Sequence, residues 1–190
     1  VAEEFPHDLK SSADAEDATK LYRRVLAAQP DGSVVMVSVG FLTNLANLLQ
    51  SSADKHSRLS GKELVRRKIK VWVCMGGAFP KGREWNVFRD AKASQIAING
   101  WPTRIVFSGY EIGKRVMTGA RLAKLPKPHP VRRSYELYNG LKNRESWDQT
   151  AALYAVRGVR GELADFWDLS EPGTMRVLED GSNDWQAQTD

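Results

Sequence analysis

The sequence of 190 residues holds one cysteine, three histidines and no long apolar run. A lone cysteine excludes an internal disulfide, and Cys74 lies inside the apolar stretch VWVCM, where a buried thiol is expected. No segment approaches the roughly 20 apolar residues of a membrane span. The first residues, VAEEFPHDLK, have neither the basic start nor the apolar stretch of a signal peptide. The chain therefore reads as soluble, with its compartment left open and no membrane partner expected. Zinc-ligand spacing, a nucleotide-binding glycine fingerprint and a serine-nucleophile elbow are all missing, which sets those three chemistries aside.

What is present fits one α/β domain over residues 1–190. Hydrophobic residues make up 42% and charged residues 27%, an ordinary globular balance with enough length for one substantial core. The net charge of +5 is unevenly spread: residues 104–133 carry eight Lys and Arg against one Glu, while the segment after Val156 is mostly acidic. A basic stretch without a nucleic-acid motif reads first as a solvated face, so no nucleic acid partner is expected.

Apolar spacing at Ala18, Leu21, Tyr22, Val25 and Leu26 predicts a helix over about residues 15–28. SVVMVSVG is a short β-branched run, the pattern of a strand covered on both faces. LTNLANLLQSS predicts a helix with Thr43 as its cap, ADKHSRLSGKELVRRK a polar linker, and IKVWVCM a second buried strand. DAKASQIAING predicts a helix capped by Asp90 and closed by Gly100, and TRIVFSG a third strand. Strand, helix, strand, helix, strand implies right-handed crossovers and an open, mostly parallel Rossmann-like sheet with helices on both faces. Two further helices, VRRSYELYNGLK and SWDQTAALYAVRG, follow, and DFWDLSEPGTMRVLED predicts a hairpin turning at Pro172-Gly173.

Ligands of open α/β sheets collect at the carboxyl ends of the strands, here residues 38–44, 75–86 and 108–111. In MGGAFPKGREWN, Gly76 and Gly77 allow close approach of the main chain to a ligand. Glu84 and Asn86 stand two apart, so an extended loop would point both the same way, a carboxylate and an amide suited to gripping hydroxyls. A tight, solvated strand-to-helix connection explains the same residues without a ligand. In SWDQ, Ser146 and Gln149 match a capping box that puts Asp148 in the first helical turn, where the helix dipole stabilises a carboxylate and a metal is the alternative reading. His7, next to Asp8, is a weaker candidate for ligand binding or proton transfer, and His56 and His129 sit in polar or proline-rich connections.

Together these stretches resemble the inosine-uridine preferring nucleoside hydrolase family, in its bacterial branch. VSVGFLTNLANLL is similar to that family's strand and Gly-x-Leu-Thr-Asn turn, VWVCMGGAF to its Met-Gly-Gly strand end, REWNVFRDAKAS to its Glu-aromatic-Asn segment, and SWDQTAALYAV to the helix bearing its last calcium ligand. The resemblance implies hydrolysis of the N-glycosidic bond of ribonucleosides with bound calcium. It further implies that the Val39 carbonyl and the Asp148 carboxylate ligate Ca2+, and that Met75, Glu84 and Asn86 hold the ribose. A homo-oligomer is compatible with it.

Two departures accompany the match. The family's Asp-x-Asp-x-x-x-Asp-Asp strand, which supplies most calcium ligands and the general base, has no counterpart here, so the first strand and the catalytic aspartates are expected outside the sequence. Many members carry His where this chain has Trp147, an aromatic able to stack on the base instead. The alternative functions are a catalytically inactive ribose- or nucleoside-binding fragment and a basic α/β interaction domain using residues 104–133.

Overall fold

The computed structural model describes residues 1–158 and 167–188. Its first half runs α1 (Ala18–Ala27), β1 (Val34–Ser38), α2 (Thr43–Gln50), α3 (Gly61–Lys68), β2 (Ile69–Met75), β3 (Lys81–Gly82), α4 (Trp85–Phe88), α5 (Ala91–Gly100) and β4 (Arg104–Ser108). The remainder is α6 (Tyr110–Lys114), β5 (Met117–Thr118), α7 (Pro130–Asn139), β6 (Arg144–Glu145), α8 (Trp147–Arg157), β7 (Gly173–Val177) and β8 (Asn183–Ala187).

The three apolar runs pair as a parallel sheet in the order β1-β2-β4, with Met36 opposite Trp72 and Trp72 opposite Ile105. Alternation along each strand sends side chains to opposite faces. On one face Met36, Trp72 and Cys74 join Leu26, Leu45, Leu48, Leu64 and Ala97 in the main core. Trp72 is fully buried; its Nε1 donates to Ser38 Oγ at 2.8 Å and its ring lies 4.5 Å from that of Trp101. Burial pushes the Cys74 thiol up to about 12, which fits the packing role expected of it. On the other face Val73 and Met75 meet Ala151 of α8, with Trp147, Tyr154 and Ala155 around them. Helices thus cover both faces.

Three local expectations change. The supposed polar linker contains α3, opened by a capping box in which Ser60 accepts from Glu63 N–H and Glu63 accepts from Ser60 N–H. Only Leu64 and Val65 among its charged residues reach the core, too few to register as a periodic stripe. Gly61 fits beneath α2 because a Cβ there would fall on the Leu48 carbonyl oxygen. Secondly, α2 begins after Leu42 with no side-chain cap, and the Thr43 hydroxyl donates across to Asp90, which caps α5 through Ala93 N–H. Thirdly, the hairpin turns at residues 178–182, with Gly181 at φ +79°, and Gly173 opens β7 rather than making the turn. Residues 159–166, which include the start of the predicted hairpin segment, lie outside the described ones.

The hairpin β7-β8 adds β3 to make a second, antiparallel sheet, fastened to α5 by Asn99, whose side-chain Nδ2 donates to Val177 O while its Oδ1 accepts from Val177 N. Among the described residues β1 has no neighbour along its outer edge. Its Val35 and Val37, on the face covered only by α8, are 42% and 37% exposed, and Val35 shares an open groove with Val156. Apolar side chains therefore stand exposed on the outermost strand of the parallel sheet.

Two outcomes follow. Leu64→Ala should cost about 2–5 kcal/mol, because α3 contributes a fully buried side chain rather than a surface linker; urea unfolding measures it. The open β1 face predicts concentration-dependent self-association that Val35→Thr with Val37→Thr reduces, read by light scattering across a dilution series.

Candidate functional site

The carboxyl ends of the strands open onto a cavity of about 560 Å³, lined by Val39, Met75, Glu84, Asn86, Tyr110, Arg144, Trp147 and Asp148 among others. All five residues singled out from the sequence, Val39, Met75, Glu84, Asn86 and Asp148, line this one space. His7, His56 and His129 do not; His7 and His56 belong to polar connections and His129 caps α7 through Arg132 N–H.

The loop after β2 is held by its own acid. Gly77, at φ +81°, turns its N–H onto Glu84 Oε2 at 3.2 Å, while Asn86 N–H donates to Oε1 at 2.9 Å and Val87 N–H to Oε2 at 3.3 Å. Glu84 is therefore the cap of α4, not a residue of an extended strand, and Asn86 sits in the following helical turn. The expected same-side pairing of extended residues is replaced by a tighter arrangement with the same result, since both still face the cavity. Asn86 Nδ2 donates to the Met75 carbonyl at 3.2 Å and approaches Met75 Sδ at 3.1 Å. That contact ties the buried Met75 to the polar wall.

A second anchor comes from the far end of the chain, which nothing in the local pattern announced. Asn183, buried in β8, accepts from Ala78 N–H at 2.9 Å and donates to Ala78 O at 2.8 Å. Ala78 adjoins Gly77, so the hairpin braces the peptide that supports Glu84. Tyr110 N–H donates to Gly77 O at 2.8 Å and fastens the same loop to the end of β4.

Aromatic residues line the same cavity. Trp147 Nε1 donates to Tyr110 O at 2.8 Å and the two rings stack with centroids 5.5 Å apart. The Arg144 guanidinium lies 5.8 Å from the Trp147 ring centre and 4.5 Å from that of Tyr138. Ser146 starts α8 but makes no side-chain cap; its hydroxyl pairs with Thr118, and Gln149 donates to Tyr135 Oη, so the predicted capping box is not formed. Asp148 does occupy the first turn of α8.

Burial raises the Glu84 carboxyl above its usual range, against the pull of the three N–H donors, and the Asp148 charge adds to the rise. Partial burial raises Asp148 as well, with Arg144 opposing. As for calcium, the Val39 carbonyl and Asp148 are hard oxygen donors of the type it takes, yet it coordinates roughly 6–8 oxygens. Among the described residues no group of three His, Cys, Asp or Glu side chains is placed to hold a metal. The donors present do not complete such a site.

Because the folded Glu84 binds its proton more tightly than the unfolded chain, its contribution to stability is greatest at low pH and is lost as pH rises through the folded value. Glu84→Gln should remove that part of the pH dependence, visible when thermal midpoints of both proteins are compared from about pH 4, the free glutamate range, upward.

The sequence matches the family model for inosine-uridine preferring nucleoside hydrolase over residues 2–184. A solved plant nucleoside hydrolase, the PpNRh1 enzyme, superimposes with a TM-score of 0.61 at 18% identity, over 92% of this chain and 54% of that one. At that identity the likeness concerns the fold, and this chain spans about half the plant enzyme's length. No curated protein matches. With nearly its whole length inside the family model, the chain belongs to the inosine-uridine preferring nucleoside hydrolase family.

Proposed function

We propose that this chain, acting as one unit, forms the nucleoside-holding part of a hydrolase that splits the N-glycosidic bond of ribonucleosides into ribose and free base. The observation that carries the reading is the gathering of Glu84, Asn86, Met75, Val39 and Asp148 around one cavity at the strand ends.

An ionised carboxylate offers about four lone-pair positions. Backbone N–H groups take three on Glu84, two on Oε2 and one on Oε1, which leaves Oε1 able to accept a ribose hydroxyl. Asn86 has its Nδ2 committed to Met75, so its Oδ1 serves as the second acceptor. A sugar seated there puts its base toward Trp147 and Tyr110, whose stacked, hydrogen-bonded rings form a flat wall for any heterocycle. Firm polar grip on the sugar with apolar contact to the base suits a site that accepts several nucleosides.

Calcium is the ion we propose for the family chemistry, with the Val39 carbonyl and Asp148 as two of its ligands. Its remaining oxygens, and the carboxylate that activates water, have to come from outside the described residues. The unpaired edge of β1 is where a further parallel strand would reach this cavity, because Val39 directly follows that strand and lines the wall. A second reading, binding without turnover, is favoured because among the described residues no group of three His, Cys, Asp or Glu side chains is placed to hold a metal.

Glu84→Gln and Asn86→Ala should each weaken binding of inosine by roughly ten-fold or more, the loss of one hydrogen bond to a charged or buried partner. Tryptophan fluorescence quenching by inosine reads this, and nucleobase release with calcium and with a chelator separates hydrolysis from binding alone. Unchanged affinity in both variants would contradict the proposed sugar site. Asp148→Asn should lower calcium affinity in a direct titration.

A further inference from the structure

Cleavage of an N-glycosidic bond sends the bonding electron pair to the base nitrogen. Water adds hydroxyl to C1′, and its proton reaches the departed base through solvent. Until then the base carries negative charge, and a cavity that meets this charge with a positive group lowers the barrier.

Among the described residues that line the cavity, Arg144 is the sole cation; the other charged groups there are Glu84, Glu145 and Asp148, and the phenols are Tyr110 and Tyr135. Arg89 lies over the Trp85 ring and Lys114 over the Tyr110 ring, but neither lines the cavity. Arg144 is half-buried at the start of β6, three residues before Trp147, and its guanidinium faces the Trp147 ring 5.8 Å away. Among the described residues the guanidinium's single hydrogen bond goes from Nη1 to Tyr138 Oη at 2.5 Å. That bond fixes the planar group while leaving most of its five N–H donors uncommitted.

We infer that Arg144 is the group that stabilises the leaving base, by charge and hydrogen bonding against the Trp147 wall, and so favours bases that depart as anions with paired acceptors on one edge. The 6-oxopurines are that class, since an arginine fork matches their O6 and N7. Arginine keeps its proton at all working pH values, so it acts by charge and not as a general acid. The inference rests on the ribonucleoside reading above.

The test uses the full chain and Arg144→Gln, with Arg144→Lys as the variant that keeps charge but loses the fork. Hypoxanthine is titrated by tryptophan fluorescence from below to above its own ionisation. Wild type should bind the anion roughly ten-fold better than the neutral base, Arg144→Lys should keep part of that preference, and Arg144→Gln should lose it. If the preparation cleaves nucleosides, Arg144→Gln should slow inosine far more than 4-nitrophenyl riboside, whose leaving group needs no assistance. Anion preference lost in Arg144→Gln without any turnover would uphold the Arg144 role and count against hydrolysis. No binding of the base, no anion preference in wild type, its survival in Arg144→Gln, or equal slowing of both ribosides would overturn the inference.

Discussion

The structure around the cavity depends on one buried carboxylate. Glu84 accepts three backbone N–H groups, from Gly77 before it and from Asn86 and Val87 after it, and so closes the loop between β2 and α4 on itself. Each of those bonds favours the ionised form, while burial disfavours it, and burial prevails. A buried carboxyl held against its preference is a costly way to close a loop, because a neutral cap of a four-residue helix would do so more cheaply. The arrangement makes sense when the acid has a ligand to meet.

The remainder of the chain supports that loop from three directions. Parallel pairing of β1, β2 and β4 brings their carboxyl ends together; the hairpin reaches back through Asn183 to fix Ala78; and the start of α8 brings Trp147 and Asp148 to the cavity. Residues from sequence positions 39 to 149 thereby share one cavity. The same construction leaves the outer edge of β1 uncovered, with Val35 and Val37 on show beside α8. That open edge runs up to the cavity, because Val39, directly after β1, lines it.

Much of this was legible in the residues. The runs VVMVS and IKVWVCM do form strands, and the glycines at their ends marked the cavity; the cover on both faces expected of the first fails, since Val35 and Val37 are exposed and only Met36 is buried. The failures have physical causes. The only apolar side chains that α3 buries are Leu64 and Val65, so its capping box at Ser60 and Glu63 was the sole local signal and was outweighed by charge. The SWDQ box failed because Thr118 and Tyr135, distant in sequence, offered Ser146 and Gln149 better partners. Asn183 and Arg144 carried no pattern at all, since their importance arises only when β8 and β6 are brought against segments far along the chain.

The central claim is that a ribonucleoside sits in this cavity with its sugar on Glu84 and Asn86. A crystal structure of the chain grown with inosine tests it most directly. The account predicts ribose hydroxyls within hydrogen-bonding distance of Glu84 Oε1 and Asn86 Oδ1, with the base lying toward Trp147. Inosine bound elsewhere, or a cavity that stays empty at saturating inosine, would contradict it.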